Sequence, residues 1–335
     1  MKIVKFLAST GEGGLENVFI DLCNALSHSE EVEVIVFKEA SFLKKFDKNI
    51  RIHLLTSSSG RFNLLLYKEL YTLIKRIKPD IVHTHAAKAS QIFYYLNTFL
   101  HIPHVGTKHN SRKGKIFNKL SYVTAVSKGV KESINNSNTK VIYNGVYPKQ
   151  LAAKETKNTI FTMLAVGRLD TIKGFDILIK ECFKLEFPFL LQIVGEGKEY
   201  KNLKHLINEL NLQDKVQLVG FSSEVPRFMQ SSDLVVVSSH TEGLSLVMVE
   251  SLFYANVLIS TKVSGPLETL DEKFLIDRFN IANKIQEVYN NQEMYKKDFG
   301  ILKNNVQKKF LLTHIIEEYK RYYQDIIAVN VVGNT

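Results

Sequence analysis

Cysteine is scarce in this chain: 335 residues contain only Cys23 and Cys182. The two lie far apart, without metal-ligand spacing and in apolar helical contexts, which predicts buried thiols rather than a disulfide or a zinc site. Long apolar runs are missing too. None approaches the roughly 20 residues of a membrane-spanning helix. The first apolar run, Ile3–Leu7, is short and enters a glycine-rich loop, unlike a signal peptide with its longer apolar region and cleavage site. The expected location is therefore cytoplasmic. No D-x-D occurs anywhere, so a divalent metal held by paired carboxylates is not indicated. The glycines Gly11, Gly13 and Gly14 lack the third glycine of the G-x-G-x-x-G dinucleotide fingerprint. Zinc-finger spacing, internal repeats and low-complexity segments are also absent.

What is present is an ordinary globular composition, 45% hydrophobic and 23% charged. At roughly 100–200 residues per domain the length favours two domains, each large enough for its own core. Net charge is +10, unevenly placed. Residues 1–150 hold 22 Lys and Arg against 11 Asp and Glu, whereas the remainder holds 22 against 23. A basic first half and a neutral second half suggest an anionic partner for the first.

Short β-rich runs alternate with helical patterns. In the first half the runs are Ile3–Leu7, Val32–Phe37, Ile52–Leu55, Ile81–His85, His104–Thr107, Val123–Val126 and Val141–Tyr143. Helical segments between them include Leu15–Ser27, Leu64–Lys78 and Ser90–Leu100. In the second half the runs are Phe161–Val166, Leu190–Val194, Val216–Val219, Leu234–Val237 and Val257–Ser260, with helices Phe175–Phe183, Tyr200–Leu210 and Leu246–Ala255. Such alternation predicts an α/β protein of two Rossmann-like, doubly wound domains with parallel sheets covered on both faces. A polar stretch at 147–159 reads as the linker, giving a first domain over 1–150 and a second over 151–313. Beyond Asp271 helices dominate. The last, about His314–Ile327, carries Ile315, Ile316, Tyr319, Tyr322, Tyr323 and Ile326 as one apolar stripe, and 329–335 reads as a frayed tail. Tandem doubly wound domains leave a cleft, and ligands of such sheets bind beyond the carboxyl ends of the strands.

The loops after the strands are therefore where chemistry belongs. Ser9 to Glu16 pairs glycines Gly13 and Gly14 with a helix start, which suits a phosphate but equally suits a bare turn. Gly167 to Gly174 offers Arg168 and Lys173 between flanking glycines at another helix start, which suits a diphosphate better than a solvated loop. Val194-Gly195-Glu196-Gly197 is a weaker glycine turn. His83 and His85 share one face of their strand, which permits a metal, yet no third ligand is apparent. The decisive segment is Ser238 to Glu250. Glu242 lies in the loop and Glu250 lies in the following helix, amid Leu246, Val247, Val249 and Leu252. A carboxylate among apolar neighbours is costly unless paired, and a ribose diol would pair it. The plainer alternative is a surface glutamate on an amphipathic helix.

Glu242 and Glu250, with seven residues between them, resemble the E-x7-E motif of retaining glycosyltransferases with the GT-B fold, and the surrounding pattern resembles glycosyltransferase family 4 (glycosyl transferases group 1). The likeness spans about residues 1–265 plus the final helix. It includes Gly13-Gly14-Leu15-Glu16, Asp80 to His85, Gly106-Thr107-Lys108-His109, Val126-Ser127, Tyr143 to Val146, Gly167-Arg168 with Lys173-Gly174, and Val194 to Gly197. The resemblance implies that Arg168 and Lys173, beside Gly167, hold the donor diphosphate and that Glu250 binds the ribose. Glu242 and the backbone of Gly243, Leu244, Ser245 and Leu246 would contact the donor sugar and phosphates. Gly13 and Gly14 would let the first domain approach the diphosphate, His109 would lie beside the transferred sugar, and His85 would help position the acceptor. The final helix would cross back onto the first domain. The chain departs from the family at Ser245, usually proline, at Ser251, usually alanine, and after Glu268, where Lys273 to Asp277 stands for a longer glycine-rich stretch.

The implied reaction is sugar transfer with retention, free of metal and of any cofactor, from a nucleotide-sugar donor with UDP as the expected nucleotide. The leaving diphosphate would be stabilised by Arg168, Lys173 and helix N-termini. The acceptor expected is a lipid-linked or lipopolysaccharide-type glycan, with the enzyme held peripherally on the inner face of an anionic membrane. Two basic segments suggest that contact: Lys108, Arg112, Lys113, Lys115 and Lys119, and Phe42-Leu43-Lys44-Lys45-Phe46. Rival readings are a nucleotide-sugar epimerase or hydrolase of the same fold, an inactive subunit assisting another transferase, and a nucleic-acid-binding protein. The last has no motif in the basic half to carry it, so no nucleic-acid partner is expected.

Overall fold

The apolar runs become the strands of two all-parallel sheets. The structure, a computed structural model, describes residues 1–112, 114–152 and 159–332, with residues 331 and 332 described by backbone alone. Contacts divide the chain into two compact units: Met1–Val146 with Leu311–Thr335, and Tyr147–Phe310. Most of the polar stretch read as a linker, 153–158, lies outside the described residues.

The first unit holds β1 (Lys2–Leu7), β2 (Glu31–Phe37), β3 (Arg51–Leu55), β4 (Ile81–His85), β5 (His104–Lys108), β6 (Tyr122–Ala125) and β7 (Thr139–Val141), in the order β3-β2-β1-β4-β5-β6-β7. The second holds β8 (Phe161–Val166), β9 (Phe189–Val194), β10 (Val216–Gly220), β11 (Leu234–Val237), β12 (Leu258–Thr261) and β13 (Leu275–Ile276), in the order β10-β9-β8-β11-β12-β13. The expected class, two doubly wound α/β domains, is what forms. Strands β4, β5 and β11 are buried at every residue, as a sheet covered on both faces requires. Each sheet reverses its strand order once, between β1 and β4 and between β8 and β11. At such a switch point the flanking loops diverge and leave a crevice at the carboxyl edge.

The helices are α1 (Gly14–Leu26), α2 (Leu64–Ile77), α3 (Ala86–Asn97), α4 (Lys128–Glu132), α5 (Phe175–Cys182), α6 (Tyr200–Glu209), α7 (Val225–Ser231), α8 (Leu246–Tyr254), α9 (Ser264–Thr269), α10 (Ile281–Asn290), α11 (Gln292–Val306) and α12 (Leu312–Val332). Asn63, Ser127 and Ser245 each cap a helix by accepting from a backbone N–H of its first turn. The chain leaves the first unit at Val146 and re-enters it at Leu311, where the two residues form a parallel bridge. Helix α12 then packs its stripe of Ile315, Ile316, Tyr319, Tyr323 and Ile326 with Phe19, Leu22 and Cys23 of α1. The final helix thus belongs to the first unit's core, as expected.

Three local readings need correction. Helix α3 starts at Ala86, directly after β4, not at Ser90. Ala86 takes a left-handed backbone, φ 64°, so the chain turns sharply from His85 into the helix. The segment Leu275–Ile276, read only as a remnant, pairs with Ser260 and Thr261 as a sixth strand. The last helix runs on through Val332 where a frayed tail was expected, and 333–335 lie outside the described residues. Cys23 and Cys182 are buried free thiols, and burial raises both above their ordinary pKa, Cys23 to about 12.

Candidate active site

In the second unit, the loops at the β8/β11 switch point carry the residues picked out from sequence. The loop after β8 is tied down by its neighbours. Gly167 N–H donates to Val194 O at 3.0 Å, and Leu169 N–H donates to Glu196 O at 2.8 Å. Gly195 has φ 143°, and a Cβ there would lie 2.0 Å from Gly167 O, so only glycine lets the two turns touch. Gly174 ends a short 3₁₀ turn, Thr171–Lys173, with φ 65°, and its missing Cβ would lie 2.4 Å from Ser238 O. The backbones of the Gly167–Gly174 and Ser238–Leu246 loops therefore pack directly, and His240 N–H donates to Ile172 O at 2.7 Å.

That packing brings Lys173 to Glu242. Lys173 Nζ donates to Glu242 Oε1 at 2.5 Å, and Ser239 Oγ donates to the same oxygen at 2.8 Å. Ser238 Oγ holds the Lys173 carbonyl at 2.8 Å. The side chains of Lys173 and Glu242 are 22% and 14% exposed, so the pair is shielded yet reachable. Arg168 is arranged differently. Its guanidinium donates to Asp170 Oδ2 at 2.9 and 2.8 Å and stays 69% exposed, while Asp170 Oδ1 caps the 3₁₀ turn through Ile172 N–H. Each cation is thus held by its own carboxylate. A lysine ammonium has three donors and an arginine five, so both keep capacity for an arriving anion.

Helix α8 begins beside this loop. Gly243, Leu244 and Ser245 are buried, Leu246 opens the helix, and Glu250 is half-buried on it. The two departures from the family pattern are locally satisfied. Ser245 Oγ accepts from Met248 N–H at 3.4 Å, and Ser251 Oγ, fully buried, donates back to Val247 O at 2.7 Å.

In the first unit the loops at the β1/β4 switch point hold a different chemistry. Gly13 immediately precedes α1, whose first turn carries Glu16. Glu16 is buried, accepts from Ser9 Oγ, and lies against Gly13. A carboxylate already complements this helix N-terminus. At the end of β4, His85 Nδ1 lies 3.1 Å from His109 Nε2, and the two rings are 5.3 Å apart. His85 Nε2 is buried with no partner among the described residues, which is costly unless a ligand or water supplies one. His109 is half-buried in the loop after β5.

Behind this pair lies a buried polar cluster that sequence reasoning missed. Register places Lys5 beside His83 across β1 and β4. Lys5 Nζ lies 2.7 Å from His83 Nδ1 and donates to Tyr323 OH of α12 at 3.2 Å, while Tyr323 OH lies 2.5 Å from the same imidazole nitrogen. His83 Nε2 contacts Thr107 Oγ1, which contacts Thr124 Oγ1, both at 2.5 Å. Both nitrogens of His83 are therefore engaged within the protein. Burial lowers Lys5 to about 7, and burial, then the charge of Lys5, holds His83, His85 and His109 well below the usual histidine range. Burial thus favours the uncharged form of all three rings. The sequence signal was Lys5 itself, a lysine in the middle of a strand whose neighbours are all apolar.

The two basic segments are also revised. Phe42 and Phe46 are core residues, edge-on to one another, with Phe46 also edge-on to Phe19, so the two phenylalanines offer no exposed apolar surface. Lys108 is buried and donates to Ser133 O and Oγ at 3.1 and 2.9 Å, and burial lowers its pKa. Arg112, Lys115 and Lys119 are exposed, and Lys113 lies outside the described residues.

Comparison with known proteins matches both halves to one enzyme class. Residues 12–150 fit the model for Glycosyltransferase Family 4, and residues 146–300 fit the model for Glycosyl transferases group 1. The chain is a GT-B glycosyltransferase of the family 4 type. Among its relatives is the N-acetylgalactosamine-N,N'-diacetylbacillosaminyl-diphospho-undecaprenol 4-alpha-N-acetylgalactosaminyltransferase of Campylobacter jejuni, 26% identical, with 88% of each chain covered. The lipopolysaccharide core biosynthesis glycosyltransferase LpsE of Rhizobium meliloti is 26% identical over 76% of this chain and 77% of its own. Among solved structures, HepE of Anabaena in complex with UDP-glucose superposes with a TM-score of 0.85 at 20% identity, covering 97% of this chain and all of that one. The glycosyltransferase has no helix, among its described residues, long and apolar enough to cross a membrane.

Proposed function

We propose that the enzyme moves a sugar, with retention of configuration, from a UDP-linked donor to a lipid-linked or lipopolysaccharide-type glycan. The observation that carries this reading is the Lys173–Glu242 pair, locked by glycine-tight loops at the β8/β11 switch point. In this reading the donor diphosphate draws on the spare donors of Lys173 and Arg168, the half-buried Glu250 takes the ribose diol, and Glu242 faces the sugar with the backbone from Gly243 to Leu246. His109 stands beside the transferred sugar, His85 orients the acceptor, and Gly13 and Gly14 approach the diphosphate. The acceptor oxygen bonds to the anomeric carbon as the bond from that carbon to the diphosphate oxygen breaks. The electron pair leaves on the diphosphate, and the acceptor proton passes to it. Cations fixed before the reaction stabilise that growing charge without reorganising. With no D-x-D in the chain, Arg168 and Lys173 carry this task. The named activities of the Campylobacter and Rhizobium relatives support the acceptor class, and the UDP-glucose complex of HepE supports the nucleotide.

A thermal-shift screen of UDP-, GDP- and ADP-sugars tests the donor, because ligand binding raises apparent stability by mass action. Stabilisation by UDP-sugars is expected. Stabilisation by GDP- or ADP-sugars alone overturns the nucleotide. With the donor found, NMR of the product reads the anomeric configuration, and an inverted product overturns retention.

A further inference from the structure

The first unit carries more apolar surface than its core needs. Helix α2 buries Leu66, Leu70, Leu73, Ile74 and Ile77, a stripe that satisfies the sheet beneath it. Leu64 and Leu65 lie off that stripe, 82% and 69% exposed, beside Phe62 at 84%. Across from them Phe99, just after α3, is 74% exposed. Between the two helices runs a groove of about 630 Å³ whose walls include Phe62, Leu64, Tyr67, Tyr71, Tyr95 and Phe99. An apolar patch of this kind on a soluble fold marks a contact surface.

Its charge identifies the partner. Residues 56–79 hold Arg61, Lys68, Lys75, Arg76 and Lys78 against one acid, Glu69. Glu69 is occupied, accepting from Thr56 N–H at 2.9 Å and from Ser57 N–H at 3.0 Å. Residues 80–99, which include α3, add Lys88 and one acid, Asp80, whose carboxylate accepts from Lys2 N–H at 2.7 Å. The outer face of α2 thus starts with leucines and continues through exposed Lys68, Lys75 and Arg76. Aromatic and leucine side chains ringed by unopposed cations fit the boundary between acyl chains and anionic headgroups. A protein partner would need its own acidic and apolar counterpart, whereas a bilayer offers both chemistries everywhere.

We infer that the α2–α3 groove is the surface by which the enzyme docks on an anionic phospholipid bilayer. Phe62, Leu64, Leu65 and Phe99 enter the headgroup boundary, and Arg61, Lys68, Lys75 and Arg76 meet the lipid phosphates. The inference rests on the proposed lipid-borne acceptor, and it moves the membrane contact away from the Phe42–Phe46 segment.

The chain contains no tryptophan, so one introduced indole reports alone. Phe62→Trp is expected to shift its emission to the blue with phosphatidylcholine vesicles containing a third phosphatidylglycerol, at low salt, and not with pure phosphatidylcholine. Phe183→Trp, on an exposed site of the second unit, should stay silent. In flotation, the pairs Phe62→Ser/Phe99→Ser and Lys75→Glu/Arg76→Glu should each bind anionic vesicles at least about tenfold more weakly than wild type, since each cation and each buried side chain contributes to the partition. Their thermal shift with donor should be unchanged. A silent Phe62→Trp, a wild type that does not float, or pairs that float like wild type would overturn the inference. Vesicle binding needs no turnover, so loss of donor binding with intact flotation would count against the proposed reaction alone.

Discussion

The two switch-point loop assemblies solve opposite electrostatic problems. In the second unit the cations have carboxylates at hydrogen-bond distance: Lys173 with Glu242, and Arg168 with Asp170. The loops keep these charges near water and satisfied before any ligand arrives. In the first unit the titratable groups behind the loops have no carboxylate partner among the described residues. Lys5, His83 and Tyr323 bond to one another in the interior, and desolvation pushes the lysine and histidines toward their neutral forms. A site meant to meet a dianion needs charge that can change partners. A site meant to stand beside an uncharged sugar or hydroxyl needs donors and acceptors without charge. The same doubly wound frame supplies both, because the switch point fixes where loops gather and leaves their chemistry free.

The sharpest way to break the comparison is to remove a mobile charge. Lys173→Ala should lower kcat by about 10²-fold, by analogy with the loss of a transition-state donor. Arg168→Ala should do the same with its guanidinium gone. Steady-state kinetics on both variants decides the matter, and turnover near wild type in both would remove the second unit's cations from the chemistry.

The motifs after β8 and β11 were legible because glycines, cations and glutamates cluster there directly after apolar strands, where the sheet gathers its loops. The fold class was legible from alternating strand and helix periods. The failures have physical causes. Ala86 to Ala89 show no apolar periodicity, so the start of α3 was invisible; the tight turn after His85 depends on a left-handed alanine that no propensity favours. Strand β13 is two residues long, too short for any pattern, and exists because β12 offers it an edge. Phe42 and Phe46 looked like a basic membrane segment because Lys44 and Lys45 lie between them. Packing in the core shared with Phe19 turned the phenylalanines inward. Ser239, which completes the Glu242 pair, carries no signal that separates it from other loop serines.

A smaller effect is expected from Lys5→Met, which removes the one buried amine of the first unit's cluster. The folded-state pKa of Lys5 is about 7 against an ordinary 10.5, so between those values the unfolded chain binds more protons. Stability from this group therefore rises with pH across that window, and below pH 7 the burial penalty is present in full, on the order of a few kcal/mol. Lys5→Met should flatten the curve of Tm against pH between 7 and 10. The histidines act on the other side. Their depressed pKa values contribute stability that is present above about 6.5 and lost as pH falls, and this acid limb should persist in the variant. Differential scanning across pH compares the two. Parallel curves above pH 7 would show that the lysine is not buried uncharged, and the contrast between the units would fail.

The smallest effect concerns Ser245, which caps α8, and Ser251 within it. Ser251→Ala restores the family's usual alanine at a fully buried position. Its hydroxyl bonds only back to Val247 O at 2.7 Å and, weakly, to Met229 Sδ at 3.9 Å, so its loss strands no buried donor. Alanine is also the better helix former by about 0.5 kcal/mol, which offsets the lost bond. Ser251→Ala should therefore change stability by less than about 1 kcal/mol in chemical denaturation. Ser245→Ala should cost about 1 kcal/mol because it removes the helix cap. Neither hydroxyl is directed at a ligand in this arrangement: one caps the helix and the other turns into it. Donor preference in a competition assay should then be the same in wild type and Ser251→Ala. A changed preference would mean that α8 shifts when the hydroxyl is lost, and that the second unit's loops are held less firmly than their paired charges imply.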